Sequence, residues 1–499
     1  MSITTPVDPA HADSSQTRFV EPLVERTIPR PSANEGRWTP RPDLVILIPV
    51  LTTLGIGAWS LSGASYWRDE AATLDADSRS LPALLRMLTN VDAVHGAYYL
   101  LMWPVVHTIG TAEVVLRMPS LLAMTAAAAG VAALGRRLRS PRAGLLAGLA
   151  FAVLPQVSLY AQTARSYALV LGCAVLATHL LVRAVSGPGR RWLVGYGCVI
   201  AVLGLLNLFG LLLLAGHAVF VLACHRPVLR RWLLSAVPAC LPALPIVALA
   251  WHERGQLGWL IPAGITAPGD LAAWLAGSVG AIVPVVAVIV IALRSRTRSA
   301  VAWLALPWLI LPPALLMIAS DVAMPVYTQR YVVFCLPALA LLIGVGLDRL
   351  NLAPRVIALL LIVGLGLPTQ FAARQPGGHT DDARGAATVL SQHERPGDGI
   401  LYDCPTCQIP DVPRELSFAY PAAFKPLDDL ALAASPAKSG TLVGTNTDQA
   451  TLTRRLDGAN RVWLFQMRGT GVPAPLAHSG LHLAAVYTAG DIRVSLYDR

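Results

Sequence analysis

Two adjacent carboxylates open the chemistry of this chain: Asp69 and Glu70, in the segment YWRDEAATL that directly follows the first apolar block. Adjacent acids at a membrane surface repel each other unless something pairs with them. Partial desolvation beside a bilayer also tunes a carboxylate toward general-base work. The same stretch holds Asp75, Asp77, Asp92 and Glu113, so acids are concentrated there. Arg117, Arg165 and Arg330 each stand at the start of a later apolar block. Arginine offers parallel hydrogen bonds that fit a phosphate, and the chain has no lysine before Lys425 to share that work. His95, Tyr98, Tyr99 and Tyr331 lie close to these groups in sequence and complete a candidate substrate-binding set, although Tyr98 and Tyr99, with Trp67 and Trp103, equally suit interfacial anchoring. The plain competing account is loop acids balanced by Arg68 and arginines that snorkel to the interface.

The motifs for other kinds of chemistry are missing. No nucleotide-binding P-loop, dinucleotide fingerprint, HExxH or GxSxG occurs in a suitable context. Reaction energy must then come from an activated substrate already at the membrane. On the non-cytoplasmic face, a polyprenyl-phosphate-linked sugar is the usual activated donor.

The elements that must position these residues are membrane helices. The chain has 499 residues, 55% of them hydrophobic and only 14% charged, against about 25% charged in soluble domains. Apolar blocks near 44–61, 118–135, 143–160, 166–185, 193–206, 208–224, 232–250, 273–293, 300–319, 330–347 and 355–371 suit about eleven crossings. Arginine collects in alternate short loops: Arg136, Arg137, Arg139 and Arg142; Arg190 and Arg191; Arg226, Arg230 and Arg231; Arg294, Arg296 and Arg298; Arg349 and Arg355. Placing all of them inside orients the helices. It requires HGAYYLLMWPVVHTIG, from His95, to lie along the outer interface as a juxtamembrane helix. The net charge of +10 belongs to those loops, since residues 372–499 hold 12 Lys and Arg against 13 Asp and Glu. A nucleic-acid surface, which needs a contiguous basic patch, is therefore not expected.

Three regions follow. Residues 1–43 are polar and Pro-rich, lack a cleavable signal sequence, and read as a disordered cytoplasmic tail. Residues 44–371 form the transmembrane domain, with 62–117 as its one long outer loop. Residues 372–499 read as a small extracytoplasmic α/β domain, with a helix from about Asp381 to His393 and strands at ILYD, TLVG, RVWLFQ and IRVSLYD. The fold class is thus an all-α polytopic membrane domain with a C-terminal α/β domain. Cys404 and Cys407 form a lone CxxC, better suited to a local disulfide or free thiols than to a redox centre.

The order of these features resembles the GT-C superfamily of lipid-linked-sugar glycosyltransferases, nearest the family-39-like bacterial enzymes related to protein mannosyltransferases and lipid A aminoarabinose transferases. Asp69-Glu70 matches the acidic pair after the first span. Asp92 with HGAYYLLMW is similar to D-x-H-P-P-x-Y-Y. RMPSLLA from Arg117, YAQTARSYAL from Tyr160 and QRYVVFCLPALALL from Gln329 resemble three helix starts of the family. Gly96 and Ala97 replace its two prolines, and Thr163 replaces its second acid. The resemblance implies a multi-pass protein of the cytoplasmic membrane that moves a sugar, mannose-like by preference, from a polyprenyl-phosphate donor to an acceptor hydroxyl. The acceptor is a protein, a glycolipid or a polysaccharide, and membrane lipid is the other partner. Transfer would be inverting, with Asp69 and Glu70 catalytic and Asp69 as base. Asp92, His95, Tyr98, Tyr99, Arg117, Arg165, Arg330 and Tyr331 would bind substrate. A divalent cation, Mg2+ or Mn2+, is compatible at Glu70 or Asp92, and no other cofactor is implied. The alternatives are a transporter or flippase of lipid-linked sugars, and a non-enzymatic receptor or scaffold.

Overall fold

In the computed structural model, residues 41–187, 190–294, 300–404, 407, 412–467, 469 and 471–499 are described. Most of the expected N-terminal tail, and the loop arginines Arg296 and Arg298, lie outside these. Helix α1 spans Pro42–Ala58. The long loop then carries α2 (Arg68–Ser78), α3 (Leu81–Leu88), a 3-10 turn Ala93–His95 and α4 (Gly96–Thr108). The rest of the bundle is α5 (Glu113–Leu138), α6 (Pro141–Val153), α7 (Pro155–Ala161), α8 (Tyr167–Val185), α9 (Arg190–Leu206), α10 (Leu213–Cys224), α11 (Leu229–Ala239), α12 (Leu244–His252), α13 (Ala267–Ala276), α14 (Val279–Leu293), α15 (Ala300–Val322), α16 (Leu336–Arg349) and α17 (Leu352–Ala372).

Among the described residues, six helices are long and apolar enough to cross a membrane, or up to eight if the bent pairs α6–α7 and α13–α14 each count as one span. The other three expected crossings, α1, α9 and the run Leu208–Cys224, are helical but no longer than 17 residues, about 25 Å. All eleven expected stretches are therefore helical, and six to eight of them have the length and composition of a span. Helix α4, at 13 residues, reaches only about 20 Å, too short to cross a core about 30 Å thick.

Small residues let the helices approach closely, as membrane bundles require. A Cβ on Gly144 of α6 would sit 2.5 Å from the Ala132 carbonyl oxygen of α5, and one on Gly344 of α16 would sit 2.5 Å from Ala147 of α6. The span ending in α16 is 94% buried and forms the centre of the bundle, whereas α17 is 11% buried and lies on its outside. Arginines tie one end of the bundle together. Arg142 donates to the Asp348 carboxylate at 2.5 Å, Arg349 to the Ile291 carbonyl and Arg136 to the Pro42 carbonyl.

The loop and the C-terminal region occupy the other end. That region has helix α18 (Ala383–His393) and strands β1 (Gly399–Asp403), β2 (Asp428–Asp429), β3 (Leu432–Ala434), β4 (Thr445–Asn446), β5 (Arg461–Met467), β6 (His482–Ala489) and β7 (Ile492–Asp498). A mixed five-stranded sheet runs β2-β1-β5-β7-β6. Strand β5 alternates cleanly, Trp463 and Phe465 facing one apolar cluster and Val462 and Leu464 the other. The TLVG segment expected as a strand is a turn. Gly440 and Gly444 have φ of 70° and 80°, and Thr441 Oγ1 both accepts from the Gly444 N–H and donates to its carbonyl. Strand β6, His482–Ala489, went unread because its many alanines carry little strand signal. Cys404 and Cys407 are joined as a disulfide.

One ion pair anchors the long loop to the bundle. Glu70 and Arg117 are fully buried, joined by two hydrogen bonds of 3.0 and 2.8 Å. Arg117 also donates to the carbonyls of Leu61, Ala64 and Ser65, so all five of its N–H donors are occupied. A second pair, Arg384 with Glu113, joins the C-terminal region to α5 at 2.5 Å and is partly solvated. Breaking a buried pair by removing one partner costs about 3–5 kcal/mol, while a solvated pair is worth about 1 kcal/mol or less. Arg117→Met should therefore lower the thermal midpoint of the detergent-solubilised protein far more than Arg384→Met. Equal shifts in scanning fluorimetry would contradict this anchoring role.

Candidate active site

Helix α2 assigns the two neighbouring acids to different work. Successive helical residues point about 100° apart, so the carboxylates of Asp69 and Glu70 diverge. Glu70 turns inward to Arg117 and accepts a third hydrogen bond, 2.7 Å, from the Ala164 N–H. Asp69 turns to the open side, where its carboxylate accepts from Arg330 Nη1 at 2.9 Å. Both side chains of that pair keep some access to solvent, 16% for Asp69 and 19% for Arg330. Burial alone would raise the Asp69 pKa. Arg330, Arg165 and Arg68 outweigh it and hold the carboxyl below its ordinary range, so Asp69 is ionised at neutral pH.

Arg165 comes from the break between α7 and α8. Its Nη1 donates to the Asp69 backbone carbonyl at 3.0 Å and to the Tyr99 hydroxyl at 3.2 Å, while its Nε is buried without a partner. Tyr99 donates in turn to the Asp92 carboxylate. Asp92 has φ 62°, the left-handed conformation that Asp tolerates, and caps the 3-10 turn leading into α4. His95 Nε2 lies 3.8 Å from the same carboxylate. Burial, helped by Arg165, pushes the His95 pKa down to about 4, so the ring is neutral at pH 7 and contributes a hydrogen-bonding group rather than a charge.

Arg330 sits in an aromatic cage, with its guanidinium carbon 5.0 Å from the Trp259 ring centre, 5.7 Å from Trp67 and 5.8 Å from Tyr331. Such stacking suits arginine in a partly desolvated site. Its Nε is buried without a partner.

The expected residues thus fall into two groups. Asp69, Asp92, His95, Tyr99, Arg165, Arg330 and Tyr331 converge at the end of the bundle covered by the C-terminal region. Tyr98 is fully buried beside them, its hydroxyl unpartnered. Arg117 does not join them: no donor is left for a phosphate, and it positions α2 instead. Glu70 likewise has both oxygens engaged and cannot take a substrate proton without losing Arg117. Thr163, where an acid was expected by resemblance, donates to the Leu159 carbonyl and leaves no vacant charge.

A divalent ion does not fit this donor set. The oxygens of Glu70 belong to Arg117, and those of Asp92 face Tyr99 and His95. Among the described residues no group of three or more His, Cys, Asp or Glu side chains could hold a metal.

Two residues at the site escaped the sequence reading, and a third, Asp77, was read only as part of an acid-rich stretch. Trp259 belongs to a loop with no motif. Glu253 accepts from the Ala93 N–H at 3.2 Å and fixes the turn after Asp92 from 160 residues away. Asp77 is fully buried with both carboxyl oxygens unpartnered, and burial pushes it up to about 8. Its place on α2, eight residues after Asp69, was the available signal.

Comparison with known proteins bears on the fold. Residues 97–251 match the family model for dolichyl-phosphate-mannose-protein mannosyltransferase. No curated protein matches the chain. ArnT from Cupriavidus metallidurans in the apo state is similar over 90% of this chain and 97% of its own, with TM-score 0.61 and 16% identity. ArnT bound to undecaprenyl phosphate gives the same TM-score and identity over 91% and 98%. The oligosaccharyltransferase AglB from Archaeoglobus fulgidus is more distant, at TM-score 0.49 and 11% identity over 84% and 69%. The chain therefore has the fold of ArnT, and its residues 97–251 are similar to the protein-mannosyltransferase family model.

Proposed function

We propose that this protein is a membrane glycosyltransferase that moves a sugar from a polyprenyl-phosphate donor to an acceptor hydroxyl. The observation that carries the reading is the Asp69–Arg330 pair: a carboxylate and a guanidinium in contact, both partly open, beside a second arginine and under an aromatic cage. ArnT, which shares the fold, has been seen with undecaprenyl phosphate bound. The matching family model names a dolichyl-phosphate-linked mannose donor, which favours a mannose-like sugar. The arginine-rich ends of the helices lie opposite the site, which supports a reaction at the outer face of the cytoplasmic membrane.

The pair gives the reaction an order. With no donor bound, Arg330 neutralises Asp69 and weakens it as a base. The donor is a phosphodiester with a permanent negative charge, so its phosphate competes for Arg330 and draws on the unpartnered Nε of Arg165 and Arg330. Asp69 is then freed beside the acceptor. The acceptor oxygen attacks the anomeric carbon and its proton passes to the Asp69 carboxylate. The bond from that carbon to the phosphate oxygen breaks, and the electron pair leaves on the polyprenyl phosphate. A single displacement inverts the anomeric centre. Arg330 and Arg165 stabilise the departing phosphate, an electrostatic effect worth about 100–1,000-fold per donor group.

Asp69→Asn should abolish release of sugar from a panel of radiolabelled polyprenyl-phosphate sugars in membranes at matched expression, a loss of at least about 100-fold. Full turnover in that variant would remove Asp69 as the base. Arg330→Ala should reduce turnover by about 100-fold or more, and a loss under threefold would remove it from the leaving-group side.

The pH profile gives an independent check. Asp69 must be ionised to act, and its lowered pKa places the acid limb of donor kcat/KM, which reports the free enzyme, below the usual carboxylate range near 4. Donor binding removes Arg330 from Asp69, so the acid limb of kcat should lie at higher pH. Coincident limbs would show that the pair stays closed during turnover.

A further inference from the structure

We propose that Glu415, supplied by the C-terminal region, is an acceptor-binding residue of this site: its carboxyl group takes a second hydroxyl of a saccharide acceptor, beside the hydroxyl that Asp69 deprotonates. The proposal rests on the transferase reading and names its acceptor class.

Residues 412–419 pack against α2, and Leu416 shares an apolar cluster with Ala71, two residues after Asp69. The backbone on either side of Glu415 is held firmly. Arg414 donates to Asp429 at 2.6 Å, to the Val443 carbonyl at 2.6 Å and to Asn446 at 2.9 Å. Leu416 is fully buried. Between these anchors Glu415 is 7% exposed, and its carboxyl lies within electrostatic reach of Arg68, Asp69, Asp75 and Asp92.

That is a costly place for an acid. Asp75 is committed to Arg79, which also reaches across to the Thr441 carbonyl of the C-terminal region. Arg68 is the foremost cation acting on Glu415, and no described residue forms an ion pair or hydrogen bond with its carboxyl group. Unlike the Asp77 carboxyl, that of Glu415 is not sealed from solvent, so a ligand hydroxyl can reach it. Burial pushes the carboxyl up to about 8, Arg68 opposing and the three acids reinforcing the rise. At neutral pH it is protonated, able both to donate and to accept, as a sugar hydroxyl requires. A phosphorylated acceptor would meet the carboxylates of Asp69 and Asp92 and be repelled. A neutral polyol meets a set of hydrogen-bonding groups. Docking contacts fix the geometry: Tyr66 N–H to the Tyr420 hydroxyl at 2.9 Å, Tyr420 to Glu113 at 2.7 Å, and Arg68 N–H to Asp381 at 3.1 Å.

The test uses the full chain with one polyprenyl-phosphate sugar that wild type turns over and n-octyl glycosides as acceptors. Glu415→Ala should raise the acceptor KM about tenfold while donor KM and kcat stay within about twofold, the loss of one hydrogen bond made equally in ground and transition states. Glu415→Gln, a neutral group that also donates and accepts, should restore the acceptor KM to within about threefold of wild type. An unchanged acceptor KM in Glu415→Ala overturns the proposal. So does a joint loss of kcat and donor affinity in both variants, which would mark Glu415 as a docking residue. If wild type releases sugar to water in an Asp69-dependent way but glycosylates no octyl glycoside, the transferase chemistry stands and the saccharide acceptor falls. If wild type releases no sugar from any donor, both readings fall.

Discussion

Arg117 has no free N–H donor, and the geometry of the whole site follows from that. Its guanidinium gathers the carbonyls of Leu61, Ala64 and Ser65 and the carboxylate of Glu70 around one point at the start of α5. The chain leaving α1 is thereby turned back toward the bundle, and α2 begins at a fixed height and angle. Glu70 also reaches the Ala164 N–H, which sets the break between α7 and α8 against the first turn of α2. Arg165 is the next residue, so the same network that buries Glu70 presents Arg165 to Asp69. A buried pair of this kind gives little net stability over an apolar substitute. What it confers here is a single arrangement of three backbone segments.

In the proposed mechanism Asp69 can act as the base because Glu70 carries the structural load. Two acids side by side on a helix could share one cation and cancel. Instead each has its own arginine, one closed in the core and one partly open. The open pair differs in one respect that matters for chemistry. Arg330 arrives from a 3-10 turn, Gln329–Cys335, ahead of α16, and is held by rings rather than by a full set of hydrogen bonds. An arginine caged by aromatic faces can exchange its anion without unfolding anything. The C-terminal region completes the enclosure, docked on the long loop through Ser65, Tyr66, Arg68 and Arg79.

Much of this was legible in the sequence, for identifiable reasons. Apolar blocks and arginine-rich loops report directly on helices and on the end of the bundle they occupy, and the helical stretches agree. Asp69, Arg165 and Arg330 could be singled out because charged residues at helix starts in an apolar chain are conspicuous. Sequence could not separate Asp69 from Glu70, or Arg117 from Arg165. Those distinctions depend on which side chain meets backbone carbonyls and which meets open space, a property of packing. Glu415, Glu253 and Trp259 were invisible because their positions come from contacts about 70 or more residues distant. TLVG misled because apolar residues between two glycines read as a strand while the glycines bend them into a turn.

The central claim is that a lipid phosphate takes Arg330 and in doing so frees Asp69. The most direct measurement is an experimental structure of the full chain with a polyprenyl phosphate bound. The account predicts phosphate oxygens on Arg330 and Arg165, with the Asp69 carboxylate no longer in contact with Arg330 and open to the acceptor side. A lipid phosphate bound elsewhere, with the Asp69–Arg330 pair still closed at 2.9 Å, would contradict it.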